Sequence, residues 1–138
     1  MGNIRSLLSL FLVSVFVSTS AAAVGLAKQG DHKKKPLATI HVMNAIPNPI
    51  RLHCSSGQKD YGEEVVHAGA EYQIGVEENA SSYSCDALWG GLWFANWNAF
   101  RPHKDGSRKA VFWLAKSDGV FHSWDNSTWV KEMVWLPF

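Results

Sequence analysis

The sequence predicts an all-β fold, an antiparallel β-sandwich of about seven to nine short strands stapled by one disulfide. Three observations carry this. Short runs alternate apolar and polar side chains with a period of two. Gly, Asn, Asp and Pro fall between the runs, and no segment shows a sustained helical stripe. Two cysteines, Cys54 and Cys85, fall in the apolar phase of their runs.

The first run, ATIHVMN from Ala38, sets Ile40 and Val42 against His41 and Met43. Pro47-Asn48-Pro49 ends it, since proline has no N–H to give a ladder. Ile50, Leu52 and Cys54 then share one face, and Arg51, His53 and Ser55 the other. EYQIGV from Glu71 and SYSC from Ser82 keep the same period, and WFANWN follows Gly90-Gly91. AVFWLA leads through Ser117-Asp118-Gly119 to VFHSW, and WVKEMVWL reads as a last strand. Residues two apart on a strand share a face, so Cys54 and Cys85 (in phase with Tyr83 and Ala87) point inward while His53 points outward. That geometry denies Cys54 and His53 a joint role as nucleophile and base. The two thiols are expected to form a bridge that clamps stacked sheets together. Closing a loop of about thirty residues contributes on the order of 3 to 4 kcal/mol in the chain-entropy model.

The amino terminus has a different composition. Arg5 precedes the apolar run LLSLFLVSVFV, and small residues follow to Ala21-Ala22-Ala23. This is the pattern of a cleavable secretory signal, and the run is shorter than the roughly 20 residues a membrane span needs. The expected organisation is a signal peptide at 1–23, a basic flexible leader at 24–37 and a β-sandwich domain at 38–138, secreted and without stable membrane insertion. From Pro36 onward eight Lys or Arg face eleven Asp or Glu, so the body is mildly acidic, which disfavours nucleic acid as a partner. Asn79 and Asn126 begin the two sequons available for N-glycosylation.

Several stretches resemble a known family. They are Asn44, Leu52-His53-Cys54-Ser55-Ser56, Lys59-Asp60-Tyr61-Gly62, Tyr72-Gln73-Ile74 and Tyr83-Ser84-Cys85-Asp86-Ala87-Leu88-Trp89, then Val111-Phe112-Trp113-Leu114 and Ser117-Asp118-Gly119-Val120-Phe121. In order and spacing they resemble the plant self-incompatibility protein family over about residues 38 to 124. The resemblance implies a secreted β-sandwich without enzymatic activity or cofactor, whose founding members are ligands recognised by a cell-surface receptor. The chain departs from the pattern at Val111, where the family often has a further cysteine, at Tyr61, where leucine is usual, and around Gly75-Val76.

The chemistry-bearing residues agree with a non-enzyme. His41, His53, His67, His103 and His122 are scattered, without HExxH, a cysteine cluster or G-x-S-x-G. The paired acids Glu63-Glu64 and Glu77-Glu78 point to opposite faces if they lie on strands. The segment RPHKDGSRK is charged and lacks apolar anchors, so it is expected to be an exposed loop, with Arg101, His103, Lys104, Asp105, Arg108 and Lys109 as candidate contacts for an unidentified protein receptor. The alternative is a carbohydrate-binding module for cell-wall glycans, with Trp93 and Trp97 as an exposed sugar platform. Core and platform roles both remain open for these two indoles.

Overall fold

The computed structural model describes residues 35–77 and 81–138. The signal peptide, all but the last residues of the basic leader, and Asn79 lie outside them. Among the described residues ten strands form: β1 (Ala38–Asn44), β2 (Ile50–Ser56), β3 (Asp60–Val66), β4 (Glu71–Val76), β5 (Tyr83–Trp89), β6 (Trp93–Phe100), β7 (Ala110–Lys116), β8 (Gly119–Ser123), β9 (Val130–Met133) and β10 (Leu136–Pro137). One sheet has the order β4-β1-β7-β8-β9, the other β10-β6-β5-β2-β3. Together they occupy the compact unit Pro36–Phe138.

The alternation read from sequence is the alternation of burial. Ile40 and Val42 of β1 and Val111 and Trp113 of β7 are buried from one sheet, Ile50 and Leu52 of β2 and Ala87 of β5 from the other. Trp113 also ties the sheets directly, its indole N–H donating to the carbonyl of Ala99 on β6 at 2.9 Å. Asn44 closes the corner after β1. Its amide donates to the carbonyls of Asn48 and Val66, and its oxygen accepts from the Ile46 N–H, so a buried side chain is fully bonded. Gly90 and Gly91 both have φ near +70°, a conformation glycine adopts freely, in the three-residue connection 90–92 between β5 and β6.

Strand direction reverses at every connection from β1 to β9; β10 breaks the rule, pairing antiparallel with β6 although both are even-numbered. Neighbours of unlike parity are therefore antiparallel, and β1 and β7, both odd, run parallel, with Thr39 opposite Ala110 and Val42 opposite Trp113. The sandwich is thus mixed at one pair rather than wholly antiparallel. The ends of the sandwich also sort the loops. Those after odd-numbered strands gather at one pole, and those after even-numbered strands at the other.

The disulfide forms, but it does not join the stacked sheets. Cys54 and Cys85 are direct partners across the β2–β5 ladder, with Cα atoms 4.0 Å apart, inside a single sheet. Side-chain parity shows which face a residue takes, not which strand lies beside it. The bridge instead closes a loop holding β3 and β4, one strand from each sheet, so it restrains how both sheets start. Two further readings change. Residues 60–66, absent from the strands read from the alternation, form edge strand β3, whose only buried residue is Val66. WVKEMVWL splits into β9 and β10, one in each sheet.

Replacing both cysteines (C54A/C85A) is expected to lower unfolding stability by about 3 to 4 kcal/mol while leaving a β-type circular dichroism spectrum. Chemical denaturation of the double variant measures this.

Candidate functional site

The segment 101–109 connects β6 to β7 at one pole. Rather than a loop exposed throughout, it contains a single helical turn, α1 (Pro102–Asp105). Pro102 opens the turn, where its missing N–H goes unneeded. The main correction concerns Asp105, which is completely buried. Its Oδ2 accepts from the Arg101 backbone N–H at 2.7 Å and from Arg101 Nε at 3.2 Å. Its Oδ1 accepts from Trp124 Nε1 at 2.8 Å. Arg101 is also largely enclosed, its guanidinium 5.7 Å from the centre of the Trp113 ring and its Nη2 3.4 Å from His122 Nε2. A buried charge is tolerable on these terms, paired and bonded at both oxygens.

Burial is the largest influence on the Asp105 carboxyl and pushes its pKa up. The bonds from Trp124 and Arg101 together outweigh it, and the carboxyl ends below its ordinary range. His122 is pushed down, first by burial and then by the Arg101 cation, so it is neutral near pH 7.

Arg101 and Asp105 therefore hold the loop from within. His103, Lys104, Arg108 and Lys109 are exposed. The Arg108 guanidinium lies 4.2 Å from the centre of the Trp124 ring, so one indole links an outer cation to the buried carboxylate. The turn after β8 completes this pole. Asp125 Oδ1 accepts from the N–H groups of Thr128 and Ser127 and from the Ser123 hydroxyl, and these bonds, that of Thr128 foremost, depress its pKa strongly. Asn126 stands exposed in that turn at φ 62°.

The paired sugar platform is not formed. Trp93 and Trp97 occupy the same inward row of β6, but Trp97 lies mid-strand in the core, 5.9 Å from Trp113 and 5% exposed. Trp93 lies at the strand's end and is 37% exposed. It packs instead beside Trp89, 6.4 Å between ring centres, and Trp135 meets Trp89 edge-on at 6.1 Å. A cleft of about 290 Å³ opens there, lined by these three indoles, Ser117, Asp118 and Val134. A second, of about 240 Å³, lies between Asn96, Asn98, Arg101 and Glu132 and is lined also by Trp97 and Trp113. The indole N–H groups of Trp89 and Trp97 are buried without a hydrogen-bond partner among the described residues.

His53 has a carboxylate near each ring nitrogen, Asp60 at 2.7 Å and Asp86 at 3.9 Å, and the bond to Asp60 raises its pKa. It stands on the outward face of β2, turned away from the sulfurs of the bridge, as its parity predicts. Among the described residues no group of three His, Cys, Asp or Glu side chains is placed to hold a metal ion, and no helix is long and apolar enough to cross a membrane.

The sequence profile of the plant self-incompatibility protein S1 family matches residues 39–135. The chain belongs to the plant self-incompatibility protein S1 family. A solved structure of an SPH (self-incompatibility protein homologue), from a widespread family of small, highly stable, secreted plant proteins, superposes with a TM-score of 0.61. The alignment covers 75% of this chain and 97% of the other at 18% identity, a likeness that speaks to fold alone. No curated protein sequence matches the chain. Family membership fits the positions that shaped the resemblance. Asn44 is the buried corner bond, Cys54 and Cys85 the bridge, Trp113 the tie between sheets, and Val111, at the departure from the family's cysteine, is wholly buried. What sequence reasoning missed is the Asp105–Trp124–His122 cluster, whose members lie 17 and 19 residues apart along the chain.

Removing one partner from this buried pair, as in D105A, is expected to destabilise the fold by about 3 kcal/mol, measured by denaturant titration. The pH dependence has a definite sign. The folded pKa of Asp105 lies below the unfolded one, so its contribution is present above about pH 3.9 and is lost as the pH falls through the lower folded value. His122 follows the same rule from about pH 6.5 downward, because the unfolded chain takes up its proton first. The His122 contribution should therefore be lost below about pH 6.5, read as a melting-temperature loss in the parent relative to H122N, a comparison in which the opposite-signed contribution of His53 cancels.

Proposed function

We propose that this family member is a secreted, non-catalytic extracellular ligand read by a cell-surface protein receptor through the basic pole built on α1. The observation that carries the reading is the division of labour within one short segment. Asp105 and Arg101 are turned inward and bonded, while His103, Lys104 and Lys109 stand out in solvent with Arg108 resting on Trp124. Recognition loops work best when a rigid scaffold holds them, since little ordering entropy is then lost on binding.

Secretion follows from the signal-like residues 1–23 and from the family, whose structurally similar member is described as secreted. Four cationic or titratable side chains on a body that is otherwise mildly acidic suit an acidic receptor surface, which would speed encounter and make the association salt-dependent. Asn126 lies at the same pole, exposed, so an N-linked glycan there would border the recognition surface.

Charge reversal at the outward positions (K104E/K109E) is expected to abolish binding to plant plasma-membrane extracts and leave the melting temperature unchanged. R101E is expected to fail in the opposite way, by unfolding. Retained binding by a folded K104E/K109E variant would overturn the assignment of this surface.

A further inference from the structure

The pole opposite α1 has its own chemistry. The turn between β5 and β6, the corner between β7 and β8, and the crossover from β9 to β10 meet there around the aromatic cleft. Because β6 runs the length of the sandwich, with Trp93 at one end and Phe100 at the other, the cleft lies roughly 25 Å from the basic loop. Its walls are fixed. Trp135 is held by a bond from its indole N–H to the carbonyl of Lys116 at 2.7 Å, and Trp89 packs between it and Trp93. Trp93 keeps an exposed face.

The polar side of the cleft decides what it would take. Among the described residues Asp118 is the only carboxylate lining it, and its Oδ2 lies 3.7 Å from Lys131 Nζ. The pair carries no net charge, which disfavours an ammonium ligand even though indole faces attract one. What remains is a flat apolar wall facing a carboxylate and the Ser117 hydroxyl, a set that both accepts and donates hydrogen bonds. A sugar ring has the matching halves, a C–H face that stacks on indole and hydroxyls that give and take hydrogen bonds. We propose that this cleft binds a neutral pyranose unit of an oligosaccharide, stacked on Trp93 and hydrogen-bonded by Asp118 and Ser117. The site is independent of the receptor-binding pole and would let the protein hold a glycan while the other end remains free.

The test follows the indole N–H resonances of ¹⁵N-labelled protein during titration with a β-1,4-linked glucose hexaose, a β-1,4-linked xylose hexaose and, separately, choline chloride. Saturable shifts at Trp89, Trp93 and Trp135, with a midpoint below about 1 mM and silence at Trp113 and Trp124, are expected for at least one hexaose. W93A should weaken that binding by about tenfold or more, W93F should restore part of it, and D118N should weaken it with the melting temperature unchanged. No response to either hexaose, a response to choline at least as strong, or D118N and W93A binding as tightly as the parent would each overturn the proposal.

Discussion

Asp105 is the interaction on which the basic pole depends. Four strands end or begin there, and one carboxylate with no exposure to solvent joins the last residue before α1 to the turn that follows β8. In an apolar interior such a charge would be prohibitive alone. Here the Arg101 guanidinium, a backbone N–H and an indole N–H compensate it, and the same indole supports Arg108 outside. A segment of lysines, arginine and histidine thereby keeps a fixed shape that its composition would not give it.

The fold makes such a division possible because strands β1 to β9 alternate direction at each connection. Each loop is assigned to a pole by the number of strands before it, and the poles have diverged in chemistry. One collects cations above a buried salt bridge, and the other collects indoles beside the Asp118 carboxylate. Between them lies a core that needs Trp97 and Trp113 as filling, which is why only the indoles near strand ends reach solvent. The bridge between Cys54 and Cys85 adds covalent restraint within the sheet opposite β1.

Much of this was legible in the sequence wherever one face of a strand is buried. β1, β2, β5 and β7 show it, since period-two alternation is what half-burial imposes. β3 escaped because it is an edge strand with charged residues on both faces, so nothing in its pattern separates it from a turn. The last run looked continuous because Val134-Trp135 crosses from one sheet to the other without glycine, and Pro137 ends up in an edge strand, where a missing N–H is tolerated. The inward phase of the cysteines was readable, whereas their neighbourhood within one sheet depends on strand order, which no local pattern encodes. Asp105 was the deepest miss. A lone acid among lysines reads as solvated until Trp124 arrives from another strand connection.

Native-state hydrogen exchange tests the rigid presentation of the basic loop most directly. The amides of Arg101, Lys104, Asp105, Gly106 and Arg108 each donate within the segment, to the Asp105 carboxylate or to nearby carbonyls. If Asp105 fixes the loop, these amides exchange as slowly as those of β6 and β7, and they alone lose protection in D105N. Exchange at free-chain rates in the parent protein, with the flanking strands still protected, would contradict it.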